Sequence, residues 1–278
     1  MHVIRIADRD DPRVDAYRSL TDPELAARHG AFVAEGRLVT ERLLQSRYGT
    51  RSVMVTDAGL AAMPSFPDRL SATPVYLVSP TIMDAIVGFR FHRGCVAIGE
   101  RGPASQALEI AREARRLVIL ERVANADNIG AIFRNAAAFG VDAVLLDAAS
   151  ADPLYRKALK TSMGAALRLP FARAMPLADT LRQLRHAGMA LVALTPASDA
   201  IPLGAIAPAL RAGRVALLVG HEGEGLTSDA LDVCDLRARI PMADGVDSLN
   251  VATALGIGLY ELDRPPNDSS QEWAQRRE

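Results

Sequence analysis

The chain has 278 residues, 49% hydrophobic and 23% charged, with a net charge of −1. That balance is typical of a globular protein and excludes a disordered or fibrous one, and the length points to two domains, each with its own core. Residues 1–11 return to charge too soon for a secretory signal, and the longest uncharged helical stretch, residues 248–260, is too short to cross a bilayer, so a cytoplasmic protein without membrane contact is expected.

In chain order, residues 1–100 alternate short strand-like and helix-like pieces, the pattern of a small α/β domain. Residues 31–34 are a brief apolar run, 37–46 an amphipathic helix, and 51–56 (RSVMVT) an alternating strand; 74–78 and 94–98 continue the pattern. Residues 101–114 turn polar and small, with Arg101-Gly102-Pro103 as a breaker, and are expected to link the first domain to a second over residues 115–264. There the strands are continuous apolar runs, 117–120, 143–146, 191–194 and 215–219, as in a sheet covered on both faces. Helices fall between them. Residues 128–139 place Ile129, Ile132, Phe133 and Ala136 on one stripe, and residues 176–187 turn Leu177, Leu181 and Leu184 inward. Strands alternating with helices must cross over rather than turn back, so a parallel, doubly wound sheet follows. Residues 265–278 are polar and expected to form a flexible tail.

Cys95 and Cys234 are far apart and beside no histidine, which suggests neither a disulfide nor a metal site. The net charge weighs against nucleic acid as a partner, but local charge decides. Basic residues cluster at Arg90/Arg93, Arg112/Arg115/Arg116 and Arg156/Lys157/Lys160, and all of the 32 basic residues except Lys157 and Lys160 are arginine. The guanidinium fork suits phosphate recognition, although a genome rich in G and C produces the same bias.

Three segments carry chemistry. Residues 125–135 (NADNIGAIFRN) lie between a buried strand and a helix start, where open α/β sheets place ligands. At 100° per residue Arg134 leaves the apolar stripe and stacks above Gly130 and Asp127, on a face that something bulky can approach; a solvated surface arginine is the plain alternative. Asp127 or Asn128 is expected to cap this helix, and Asn128 suits a functional role equally well. Residues 219–226 (VGHEGEGL) alternate glycines, Gly220 among them, with polar residues and permit close approach of a ligand. The lysine and hydroxyl of a phosphate-binding loop are missing, and Glu222 and Glu224 would repel a polyphosphate but tolerate a cation such as a sulfonium. Residues 240–252 (IPMADGVDSLNVA) lead into a helix expected over residues 248–260 that is apolar all round. One face would meet its own sheet and the other a second subunit. Ser248 is a candidate cap for it, and Asn250 in such a helix needs a partner or a ligand, because a buried unsatisfied amide costs about 1–3 kcal/mol.

In their order and spacing, over residues 116–262, these segments resemble the three motifs of the SpoU (TrmH-like) RNA 2′-O-ribose methyltransferases of the SPOUT superfamily. NADNIGAIFRNAAAFG is similar to the first motif, LLVGHEGEGL to the second and IPMADGVDSLNVATALGIGLYE to the third; Asn135 stands where the family often has Thr or Ser. AFVAEGRLVTERLL and FRFHRGCVAIGE resemble the L30e-type domain that often precedes the catalytic one. The resemblance implies a SPOUT-type α/β domain with a parallel sheet and a trefoil knot, preceded by a smaller L30e-like α/β domain over residues 1–100 that binds RNA. It implies S-adenosylmethionine held near Leu194, Thr195, Gly220, Ile240 and Leu249, and a homodimer with Arg134 at the chemistry, assisted by Asn128, Glu222, Ser248 and Asn250. Ribosomal RNA is expected as substrate ahead of transfer RNA. The competing readings are a transfer-RNA enzyme, an inactive RNA-binding relative, a base methyltransferase of the same superfamily and a nucleotide-dependent oxidoreductase, the last weakened by the missing dinucleotide fingerprint.

Overall fold

The computed structural model describes residues 2–18, 21–63, 73–88, 90–91 and 94–263; Arg93 and the tail expected over residues 265–278 lie outside them. The chain divides into two compact units, one of Met1–Ser105, Ala124–Arg134 and Ala151–Pro170, the other of Gln106–Val123, Asn135–Ser150 and Phe171–Glu278.

In the first unit, strands β1 (His2–Arg5), β2 (Ala31–Glu35), β3 (Gly49–Val55), β4 (Pro74–Leu77) and β5 (Cys95–Glu100) form a sheet of order β1-β4-β3-β5-β2. The first three strands of that order are parallel, whereas β5 runs against both β3 and β2. Among the described residues, helices α1 (Asp22–His29), α2 (Arg37–Leu44), α3 (Asp57–Ala61) and α4 (Pro80–Val87) connect the strands. Short polar side chains stop the backbone from fraying: Thr21, Thr56 and Ser79 accept amide hydrogens at the starts of α1, α3 and α4. The core gathers Ile6, Leu25, Val33, Met54, Met83 and Ile98, with the buried Tyr17 hydroxyl 2.7 Å from Ser52 Oγ. Burial pushes the Tyr17 hydroxyl pKa upward.

The second unit holds β6 (Arg116–Leu120), β7 (Ala143–Leu146), β8 (Phe171–Arg173), β9 (Ala190–Leu194), β10 (Ile201–Pro202), β11 (Val215–Val219) and β12 (Leu236–Arg239). All pair in parallel, in the order β10-β12-β9-β11-β6-β7-β8. Helices follow the strands: α5 (Ala107–Ala111), α6 (Ala126–Ala138), α7 (Arg156–Thr161), α8 (Leu177–His186), α9 (Leu203–Leu210), α10 (Ser228–Val233) and α11 (Val251–Asp263). On one face Leu117, Ile119, Leu145, Leu191 and Leu218 pack against Ala107 and Ala111 of α5, Leu181 and Leu184 of α8, and Ala230 and Val233 of α10. Each such leucine contributes roughly 1.5–3 kcal/mol by leaving water. On the other face α11 comes so close that a Cβ on Gly258 would lie 3.1 Å from Leu194 Cδ1 and 3.2 Å from Leu217 Cδ1.

Helix α7, and α6 as far as Arg134, belong to the first unit. They touch closely at Gly130, where an added Cβ would stand 2.6 Å from Thr161 Cβ and 2.7 Å from the Ala158 carbonyl oxygen. Lys157 pairs with Asp127 at 2.7 Å and Arg156 with Asp22 at 2.7 Å. Arg116 likewise pairs with Asp263 at 2.7 Å within the second unit. Arg116, Arg156 and Lys157 of the basic clusters visible in the sequence are therefore held in internal ion pairs.

The strands read from the apolar runs are present with ends shifted by a residue or two, but both functional helices start differently from expectation. Helix α6 begins at Ala126, and Asn125 Oδ1 accepts from the Asp127 amide at 2.9 Å, so neither Asp127 nor Asn128 caps it. Helix α11 begins at Val251 rather than residue 248, because Asn250 Oδ1 accepts the amide hydrogens of Ala252 and Thr253 at 3.0 and 3.2 Å. Its buried side is Val251, Ala252, Leu255, Leu259 and Leu262, while Tyr260 remains half exposed with its ring edge-on to Phe139. It is not enclosed all round within one chain.

Candidate functional site

Three neighbouring parallel strands of the second unit, β12, β9 and β11, end on the same edge of the sheet and deliver residues 240–242, 195–196 and 220–225 to one place. The turn into α11 adds residues 247–249, and together they enclose a pocket of about 250 Å³. Leu194, Thr195, Gly220, Ile240 and Leu249 all line it, as do Glu222 and Ser248. Asn250 stands between the lining residues Leu249 and Val251 without lining the pocket itself, and is the cap of α11. Asn128, buried, and Arg134, exposed, fall in the first unit. Arg134 makes no hydrogen bond or ion pair to the described residues, which leaves its guanidinium available to a partner from outside.

The glycine-rich turn is built by local necessity. A Cβ on Gly220 would stand 2.5 Å from both the carbonyl carbon and the oxygen of Gly225 and 2.6 Å from the Leu226 nitrogen, and because these are backbone atoms no side chain can be accommodated there. The approach is so close because His221 and Gly225 exchange backbone hydrogen bonds at 3.2 and 2.9 Å, closing the turn. Gly225 takes φ of +71°, a left-handed conformation that favours glycine.

Two residues before the first motif, passed over in the sequence, brace this turn. Glu121, buried, accepts from the Thr227 amide and hydroxyl at 2.7 Å each, and Arg122 reaches Glu224 at 2.5 Å and the Gly225 carbonyl at 3.2 Å. The hydrogen bond and charge of Arg122 hold the Glu224 carboxyl below its ordinary pKa. Nothing in the local pattern singles out Glu121 or Arg122, since their partners lie on a different strand end. His221, Met242 and Asp247 also line the pocket. They lie inside the second and third chemistry-bearing segments, where the residue pattern alone gives them no role.

The pocket floor and walls are apolar at Leu194, Val219, Ile240, Leu249 and Val251, and its rim carries the carboxylates of Glu222 and Asp247. Such a site takes a flat apolar group with a positive charge at its edge. Among the described residues no cluster of three or more His, Cys, Asp or Glu is arranged to hold a metal ion, and no helix is long and apolar enough to cross a membrane.

The SpoU rRNA methylase family profile matches residues 115–260, which take in the whole pocket. The chain is 41% identical over 263 residues to an uncharacterised tRNA/rRNA methyltransferase of Mycobacterium bovis, covering 93% of this chain and 91% of that protein. It is 33% identical over 202 residues to the 23S rRNA (guanosine-2′-O-)-methyltransferase RlmB of Xylella fastidiosa, covering 70% and 80%. Among solved structures, an AdoMet-bound rRNA methyltransferase from Sinorhizobium meliloti superposes with a TM-score of 0.78 at 26% identity, over 94% of this chain and 97% of that one.

Proposed function

The chain belongs to the SpoU rRNA methylase family, and from that premise we propose that it transfers a methyl group from S-adenosylmethionine to a ribose 2′-hydroxyl of RNA, ribosomal RNA ahead of transfer RNA. One observation carries the reading: the ends of β9, β11 and β12 and the turn into α11 converge on a single apolar pocket with a carboxylate rim. The likeness to the Xylella enzyme supports ribose and ribosomal RNA, and the likeness to the AdoMet-bound Sinorhizobium structure supports the cofactor.

The pocket fits that cofactor. The apolar side chains of Leu194, Ile240 and Leu249 suit its adenine, the missing side chain at Gly220 leaves room for close contact, and Glu222 and Asp247 complement a cationic sulfur. When bound, S-adenosylmethionine supplies an electrophilic methyl group on that sulfur. The protein's part is to hold the ribose oxygen in line with that methyl and to ease departure of its proton. Arg134 is the group for this. A guanidinium is too poor a base to take that proton, which passes to solvent; its part is to grip the adjoining phosphate and stabilise the developing alkoxide.

In the same reading Arg134 is contributed by the second subunit of a homodimer, an arrangement supported by the half-exposed Tyr260 on the apolar helix α11. Asn128, Glu222, Ser248 and Asn250 orient the ribose and fix the loops around it; for Asn250, the cap it forms on α11 supports the second of these tasks. Residues 1–100 serve as an L30e-like domain that holds RNA, residues 115–264 as the methyltransferase domain with the family's trefoil knot, and the protein works in the cytoplasm.

Arg134→Ala is expected to abolish methyl transfer, by a factor of about 10² or more, while the Kd for S-adenosylmethionine stays nearly unchanged. Loss of cofactor binding in that variant contradicts the assignment. Ribose-methylation maps of total RNA from cells with and without the protein identify the substrate, and a modified base with unmodified riboses overturns the proposed chemistry.

A further inference from the structure

We propose that His221 is a positioning residue for the cofactor pocket, and that it acts through the acceptor lone pair of Nδ1. The turn at residues 220–225 contains three glycines, so few side chains restrict its backbone, and freezing such a segment costs about 1–2 kcal/mol per residue. His221 offsets this from within the turn. Its Nδ1 lies 3.0 Å from the Gly223 amide nitrogen and 3.2 Å from that of Glu224, and both amides donate to it. The proton of the neutral ring then resides on Nε2.

The imidazole thus does what a short Asn or Ser side chain does when it accepts from amides two and three residues ahead, and it does so at the pocket wall. His221, Glu222, Gly223 and Gly225 all line the pocket, so the same hydrogen bonds that close the turn set the shape of that wall. Arg122 restrains the turn from its other side through Glu224 and the Gly225 carbonyl, but it leaves the Gly223 amide untouched. Among the described residues, only the histidine ring accepts from both that amide and its neighbour.

This role rests on reading the pocket as the S-adenosylmethionine site, and its test separates the two. In the full-length protein, His221→Phe keeps a planar ring and removes the acceptor, whereas His221→Asn keeps an acceptor of suitable reach. Calorimetry with S-adenosylmethionine should find Kd raised about tenfold in the Phe variant and restored to within about threefold of the parent in the Asn variant. Amide hydrogen exchange of the ligand-free proteins should find the Gly223 and Glu224 hydrogens protected in the parent and the Asn variant and fast-exchanging in the Phe variant. Parental affinity and protection in the Phe variant overturn the role, as does an Asn variant as impaired as the Phe one. Failure of the parent protein to bind S-adenosylmethionine, with both amides protected, refutes the reading of the pocket and leaves the histidine's hold on the turn established.

Discussion

The two units use sheets of different direction, and the difference explains why loops distant in sequence meet at one sheet edge in the second. In the second unit all seven strands run the same way, so every carboxyl end opens on one edge, and loops far apart in sequence meet there. In the first, β5 opposes its neighbours and splits the strand ends between two edges. Its turns go into closing helices instead, with Thr21, Thr56 and Ser79 as caps. Parallel strands cost longer crossovers, and in return they concentrate loop backbone at one place.

Glycine substitutions test this contrast most sharply, because Gly220 and Gly130 are both forced by close contact but serve different ends. Gly220→Ala should raise the Kd for S-adenosylmethionine by about a hundredfold or more, equivalent to ~2.7 kcal/mol, since the added methyl meets only backbone. Titration calorimetry reads this directly, and an unchanged Kd would separate the turn from the pocket. Gly130→Ala should act on the fold of the first unit, lowering stability by about 1–3 kcal/mol through overpacking against α7, as measured by urea unfolding.

Smaller effects distinguish cap from ligand in the third motif. Asn250→Ala should cost about 1 kcal/mol of stability by uncapping α11, whereas Ser248→Ala should leave the urea midpoint unchanged because Ser248 does not hold that helix end. A midpoint shift in the Ser248 variant equal to that of Asn250 would return the cap to the position expected from the sequence. The smallest effect concerns acid. The hydrogen bond from Lys157, helped by Thr161, lowers the Asp127 pKa from its ordinary 3.8. A carboxyl whose pKa is lowered by folding contributes stability above its unfolded pKa and loses it as pH falls through the lowered value. Asp127→Asn should therefore reduce the difference in unfolding midpoint between neutral pH and pH below 3.8, and only slightly, because the pair is open to solvent.

The strands that were legible were those buried on both faces. Val215–Val219 and Ala143–Leu146 appear as written because every residue is apolar. Strand β12 escaped notice because Leu236–Arg239 places arginine at every second position and buries only Ala238 fully, a pattern that resembles surface chain. Helix α7 has the composition of a basic patch, since Arg156 and Lys157 reveal their function only once Asp22 and Asp127 are folded against them. The pocket was visible in the glycine spacing and the third motif because its residues are contiguous there. Glu121 and Arg122 were not, for they work on a turn more than a hundred residues later in the chain, and sequence adjacency carries no trace of such a bond.

Strand β11 lies between β9 and β6, both of which precede it in the chain. During synthesis, the middle of this sheet must stay open until residues 215–219 leave the ribosome, so one apolar edge of β6 waits unpaired over residues 121–214 and one of β9 over residues 195–214. A chain terminated just short of Val215 should consequently be a target for chaperones and aggregation, while one extended by a single strand can seal itself.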